Sequence, residues 1–296
     1  MLKYYSNKKI IFLFLLPALL IYVGLAVWPI LQSIRFSFFE WPGIQGVDLK
    51  FVGLKNFRAM FSSPKFWLSV RNVLQFIGLN LVLQIFLGYG LALMVAKYYR
   101  GFKFFKMAFF CPVVLPLTAT ALLWNFIYFP NNIGILNQFL EAIGLGALKK
   151  GWLITPSTAL NAVTVANAWT GFGYHLVIGF AALSAVPDGI LESAMIDGAT
   201  GLKKFFHVTL PLIWQSVIIS VVLITTGSMK NFDIIFVMTE GGPNGMTHVP
   251  STLMYYEAFK YDHYGLGSAI SVFIFAASLL LAWLSMRVMR RETIEY

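Results

Sequence analysis

Cysteine is almost missing from this chain. The single Cys111 excludes an intrachain disulfide, and its place in an apolar run beside Pro112 points to a packing role. Histidine occurs only four times, at His175, His207, His248 and His263, scattered and with no Cys or His partner at metal-ligand spacing. Each reads as a structural or surface residue, and neither a metal nor a cofactor is expected in the chain. There is no G-x-x-x-x-G-K-[ST] phosphate loop and no H-E-x-x-H. The apolar runs hold no paired acids and no nucleophile with a base, so an intramembrane enzyme would lack its machinery. The chain is therefore not expected to be an enzyme, and no catalytic residue is assigned. Any nucleotide-driven work would have its nucleotide site on another polypeptide. Charge is scarce too: Asp, Glu, Lys and Arg make up 11% of 296 residues, against 58% hydrophobic and 17% aromatic.

That composition, with a mean hydropathy of +0.75, places the chain in the membrane class before any motif is used. Charge-free runs near residues 10–30, 72–96, 107–129, 159–186, 212–229 and 266–286 are each long enough to cross a bilayer, and the fifth span, 212–238, continues past Lys230 and Asp233. They predict an all-α polytopic protein of about six transmembrane helices in one domain, 1–296. Strands are not expected, since each run is about twice the length a barrel strand needs and lacks alternation. The basic arm and first run resemble a signal peptide only superficially; the run is too long and no small-x-small cleavage site follows, so it reads as an uncleaved first span. Pro112 and Pro116 are expected to bend the third span.

The net charge of +10 does not point to nucleic acid, because no separate basic domain carries it and the bases flank the apolar runs. Topology accounts for it better. With the amino terminus inside, the inner segments hold Lys3, Lys8, Lys9, Lys97, Arg100, Lys103, Lys106, Lys203, Lys204, Arg287, Arg290 and Arg291, about double the density of bases outside. Both termini and the segment 187–211 are then cytoplasmic. The first outer loop, 31–71, weakens the bias with Arg35, Lys50, Lys55, Arg58, Lys65 and Arg71.

The segment from Leu191 to Pro211 is compact, small and polar between two apolar runs. Pro187 and Asp188 signal a helix start, Gly198 can take the left-handed conformation that ends it, and Thr200 or Gly201 can begin a second helix from Leu202 to Val208. Two such short helices are unstable alone and must dock on something. Glu192, Ala194, Asp197, Gly198, Ala199, Phe205, Val208, Leu210 and Pro211 resemble the EAA loop of the membrane subunits of ABC importers, written E-A-A-x-x-D-G-A and followed by hydrophobic-x-L-P. Ser193 stands where the second alanine is usual. In that family the loop is a coupling helix seated in a cleft of a separate ATPase subunit. The resemblance implies that Glu192 and Asp197 anchor it, Gly198 supplies the bend, and Ser193, Ala194 and Ala199 allow close approach.

A second stretch, from Phe232 to Pro243 with Thr247 beyond it, is similar to F-D-x-hydrophobic-x-hydrophobic-L-T-x-G-G-P at the end of the fifth span in carbohydrate-type ABC importers, with Met238 in place of leucine. It is most like the first of two permease subunits in importers of maltose-like oligosaccharides or glycerol 3-phosphate. Read from the residues alone, Gly241, Gly242 and Pro243 form a turn that ends a helix.

Polar side chains inside the runs are candidates for a substrate path, because burying them in lipid without partners costs free energy. Asn161, Thr164, Asn167, Gly171 and His175 recur at spacings of three and four, with Trp169 and Tyr174 near enough to stack on a sugar ring. The same stripe also suits an interhelical seam, and both readings stay open. Asn80, Gln84, Asn125, Gln215 and Asn231 carry that ambiguity without a spacing argument. Lys230 and Asp233, at i and i+3, can pair internally or touch substrate.

The resemblance implies the type I ABC importer membrane-domain architecture: a permease in a bacterial inner membrane, paired with a second, unlike permease. Two ATPase subunits would carry ATP and Mg, and an extracytoplasmic binding protein would deliver a sugar. The alternative is a stand-alone secondary transporter or channel for a small polar solute, for which Asp233 is the only acidic candidate and lies at a span's end.

Overall fold

In apolar surroundings a backbone has no hydrogen-bond partners but its own, so long apolar runs fold as helices. Helix dominates this computed structural model, which describes residues 8–44, 46–96 and 102–290. Lys3, Lys97, Arg100 and Arg291, used above for orientation, lie outside those residues. The principal helices are α1 Lys8–Phe36, α2 Lys55–Ser62, α3 Pro64–Ala96, α4 Phe102–Val114, α5 Leu117–Ile127, α6 Ile135–Ala142 and α7 Pro156–Ala185. They continue with α8 Asp188–Ile196, α9 Gly201–Leu212, α10 Trp214–Lys230, α11 Asp233–Thr239, α12 Pro250–Tyr255 and α13 Tyr264–Met289. Two-residue strands, β1 Phe39–Glu40 and β2 Lys50–Phe51, pair antiparallel between α1 and α2 with Phe39 opposite Phe51.

Among the described residues α1, α3 and α13 are each long and apolar enough to cross a membrane. Three bent pairs raise the number of spans to as many as six: α4 with α5 at 98°, α7 with α8 at 73° and α9 with α10 at 73°. The third apolar run is thus not one helix. Pro112 is accommodated within α4, whereas Pro116 disfavours helical backbone at Leu115 and caps α5. The fifth run is broken as well: α10 stops at Lys230, Asn231 is extended with ψ 124°, and α11 restarts at Asp233. The expected pairing of Lys230 with Asp233 is not among the ion pairs of the described residues, and both side chains are exposed. Cys111 is exposed on α4 rather than packed.

The contacts divide the chain into two compact units, with boundaries near residues 63, 253 and 273. Composition does not mark these boundaries, because two of them run through α12 and α13. In the smaller unit Trp41 packs against Phe36 and Tyr264, with ring centroids 5.0 and 5.1 Å away, and Asn56 donates to the Ser37 and Phe39 carbonyls at 2.9 Å.

The larger unit is built on α3 against α7. Phe66, Val73, Phe76, Ile77 and Ala92 of α3 are buried, as are Val163, Ala166 and Leu176 of α7. Small residues bring the helices close. A Cβ on Gly88 would lie 2.9 Å from the His175 Cβ, and one on Gly173 would lie 2.2 Å from the Phe109 carbonyl oxygen of α4. Tyr89 of α3 reaches Ser216 and Ser220 of α10 at 3.1 and 3.0 Å. Those bonds hold a third helix on the same core.

Candidate functional site

The segment after α7 has a built geometry. Pro187, in extended backbone, precedes α8, and Asp188 occupies its first turn, where a negative charge suits the helix dipole. Leu191 turns inward onto a cluster of Tyr89, Val186, Ile213 and Val217, joined by Leu210 and Leu212. Ala194 is buried on the same side. Gly198, at φ +79°, ends α8: its N–H donates to the Met195 carbonyl at 3.1 Å and the Ala199 N–H to the Ala194 carbonyl at 2.9 Å. Those two bonds form the Schellman turn, which favours glycine at the left-handed position. Thr200 is extended and α9 begins at once, running to Leu212 rather than stopping at Val208. Glu192, Ser193, Asp197 and Gly198 are exposed, Ala199, Leu210 and Pro211 half-buried. Two large apolar side chains stand bare beside them, Ile196 at 86% exposure and Leu202 at 76%. The segment is therefore held from one side and open on the other.

Elsewhere in the larger unit lies a cavity of about 400 Å³, walled by Gln84 of α3, the α4–α5 bend, Asn167, Gly171, Tyr174 and His175 of α7, and Gly227, Ser228 and Asn231 at the end of α10. An amide chain fixes one wall. Gln84 Nε2 donates to Asn80 Oδ1 at 2.8 Å, Asn167 Nδ2 donates to the same oxygen at 2.9 Å, and Asn231 Nδ2 donates to Asn167 Oδ1 at 2.9 Å. Asn80 Nδ2 in turn donates to the Phe76 carbonyl at 2.9 Å. Every amide in this chain is oriented by its neighbour, so the polar surface offered to the cavity is preset. Tyr174 is 46% exposed, His175 only 4%.

The α7 stripe divides accordingly. Asn167, Gly171, Tyr174 and His175 line the cavity, together with Asn231 from the helix break. Thr164 does not; it is buried and its hydroxyl donates to the Leu160 carbonyl of its own helix at 2.7 Å. Asn161 accepts from Gln75 Nε2 at 2.8 Å on an exposed part of the α3–α7 seam. Trp169 packs edge-on against Trp124 at 5.9 Å, outside the cavity wall, and Asp233 is exposed at the start of α11. Seam and cavity thus overlap on one helix: Asn167 and His175 meet α3 and line the cavity, whereas Asn161 and Thr164 lie outside it. Gly227 and Ser228 carry no signal of their own in the sequence; only their position one turn before the break connects them with Asn231.

The family model described as "Binding-protein-dependent transport system inner membrane component" matches residues 69–293. The chain belongs to this family. The permease is 35% identical over 284 residues to the probable ABC transporter permease protein YurN of Bacillus subtilis, covering 95% of this chain and 96% of that one. It is 29% identical to the trehalose/maltose transport system permease protein MalF of Thermococcus litoralis, over 97% of each chain. A chain of the bacterial ABC transporter involved in the import of the acidic polysaccharide alginate superposes with a TM-score of 0.81 at 22% identity, over 97% of each. That likeness fixes the fold, the membrane-domain architecture of type I ABC importers, while the family match and the long apolar helices make the chain a multi-pass membrane protein.

The permease's loop after α11 is a clasp. Glu240 and Gly241 both have positive φ, 50° and 85°. Thr247 donates to the Gly242 carbonyl at 2.6 Å and bonds the Thr239 hydroxyl at 2.8 Å. Buried Asn72 of α3 donates to the Met246 and His248 carbonyls, both at 2.8 Å. Ser251, in α12, donates to the Asn231 carbonyl, so the clasp is tied to the helix break at the cavity. Burial and nearby Lys65 hold the His248 imidazole below its usual pKa.

Proposed function

We propose that this chain is the membrane-spanning subunit of an ATP-driven importer and forms, with a second, unlike permease subunit, the path for a sugar or oligosaccharide. An extracytoplasmic binding protein delivers the solute, two ATPase subunits carry ATP and Mg, and both termini of this chain are cytoplasmic. The sugar assignment is supported by the carbohydrate names among the relatives and by a neutral, amide-rich cavity in the larger unit.

The observation that carries the reading is the segment 187–211, anchored inward by Leu191 and Ala194 while Glu192, Ile196, Asp197 and Leu202 remain open. A partner that grips the open face can transmit force through the packed one into α3 and α10, whose Tyr89 and Val217 form the floor beneath. ATP drives transport only if this grip differs between the two states of the bundle.

The test is co-expression with the neighbouring ATPase subunits and affinity purification through this chain. The ATPase is expected to co-purify, and Glu192→Ala with Gly198→Val is expected to release it. Solute uptake that continues with an ATPase variant unable to hydrolyse ATP would overturn the assignment.

A further inference from the structure

We infer that the cavity takes an uncharged, hydroxyl-rich ligand, a neutral saccharide rather than a carboxylated or phosphorylated one; this rests on the importer reading above and narrows it. The wall consists of amides, hydroxyls, a phenol, an imidazole and aliphatic groups, and none of its residues is Asp, Glu, Lys or Arg. Lys230, next to Asn231 in sequence, is exposed and lies outside the wall. An anionic ligand entering here would leave water without meeting a counter-charge among the described residues of the wall, and an ion desolvated without a partner is strongly disfavoured.

The hydrogen-bond inventory points to hydroxyl groups at this wall. Asn231 Nδ2 is committed to Asn167, which leaves Asn231 Oδ1 as the terminal acceptor of the amide chain, buried and without a partner. A hydroxyl can donate to it, whereas an ionised carboxylate or phosphate has acceptors only. His175 Nδ1 is likewise buried and unpartnered. A hydroxyl satisfies that nitrogen in either tautomer because it both donates and accepts; an ionised group satisfies only one. Two unpartnered polar atoms on two wall residues are therefore of the kind that a polyol hydroxyl can satisfy. Tyr174, half-exposed at the same wall, adds an aromatic face for a sugar ring.

The test uses the complete membrane complex: this chain with its partner permease and ATPase subunits, purified without the binding protein so that only the membrane site selects. It is incubated with neutral oligosaccharides from partial hydrolysis of starch, cellulose and mannan, and with the same mixture oxidised at C6 to uronates. Native mass spectrometry identifies what is retained. Neutral species are expected to be preferred about 100-fold over their oxidised counterparts, two tenfold steps for an unpaired charge. Gly227→Lys places an ammonium at the wall, at a position where an added Cβ meets nothing within 4 Å, and should move the preference at least about tenfold toward the uronates. Preferential retention of uronates by the wild-type complex, or an unchanged preference in Gly227→Lys, overturns the inference and leaves the importer reading intact. Retention of no saccharide of either kind, by a complex that assembles and hydrolyses ATP, overturns the sugar reading and this inference with it.

Discussion

Replacing Asn80 with alanine tests whether the amide chain holds the bundle together or merely decorates it. Asn80 is fully buried and central: its Oδ1 accepts from Gln84 and Asn167, and its Nδ2 donates to the Phe76 carbonyl. Removing it deletes one bond between α3 and α7 and two within α3, and leaves two amide donors without an acceptor. Interhelical hydrogen bonds in membrane proteins average about 0.6 kcal/mol and reach about 1.7. A stranded buried donor adds about 1 to 3 kcal/mol. Even at the low end of each term the expected loss is about 3 kcal/mol, measured by equilibrium unfolding in mixed micelles as SDS is raised. Asn161→Ala is the internal control, because its bond to Gln75 is exposed, and it should cost no more than about 0.5 kcal/mol. In a double-mutant cycle Asn80→Ala and Asn167→Ala should couple by about 0.6 to 1.7 kcal/mol. A cost for Asn80→Ala no larger than that of Asn161→Ala, or a coupling of zero, would refute the reasoning.

Gly198→Val places a β-branched residue at φ +79° and should cost about 1 to 2 kcal/mol. ATPase retention on purification should fall, whereas Gly189→Ala, on the same helix in open space, should keep it. Gly241→Ala would set a Cβ 2.1 Å from the His248 ring at φ +85°, so the clasp must open; a lowered unfolding temperature and faster proteolysis between residues 240 and 249 are expected. His248 is held below its ordinary pKa by burial and by Lys65, so the unfolded chain binds more protons as pH falls below about 6.5. Stability should be constant above that pH and decline below it until the folded-state pKa is passed, and His248→Gln should flatten this share of the profile in thermal unfolding between pH 8 and 5.

The two segments with a backbone signature are legible in the amino-acid sequence itself. Pro187, Asp188 and Gly198 mark helix ends by sterics and dipole alone, and Gly241 marks a turn for the same reason, so α8, its Schellman cap and the clasp lie where those residues put them. The cavity is only half legible. Spacing on α7 singles out Asn167, Gly171, Tyr174 and His175, but also Thr164, because a period of 3.6 identifies a face without saying how far along it the neighbouring helix stays in contact. Trp169 illustrates the same limit: near in sequence, it turns to Trp124 instead. Cys111 reads as packed and is exposed, because an apolar neighbourhood in sequence is equally that of a lipid-facing surface.

The helix breaks are the least legible feature, and they account for where the cavity lies. Leu115 and Leu117, flanking Pro116 at the 98° bend, and Asn231, at the end of α10, all face the same cavity. Proline announces the first break, while the second is marked only by the polar residues Lys230, Asn231 and Asp233, which end the charge-free run without specifying a bend. Backbone that leaves the helix away from water strands its N–H and C=O groups, and is tolerated only where protein or a polar cavity can meet them. Here the Asn231 N–H donates to the Ser228 carbonyl at 3.2 Å, its carbonyl accepts from Ser251, and its side chain binds Asn167. The break is thus supported by the amide chain on one side and by the clasp on the other, so a shift in either changes the cavity wall. A polar residue that hydrophobicity would treat as a flaw in a span is the one that joins the clasp to the candidate path.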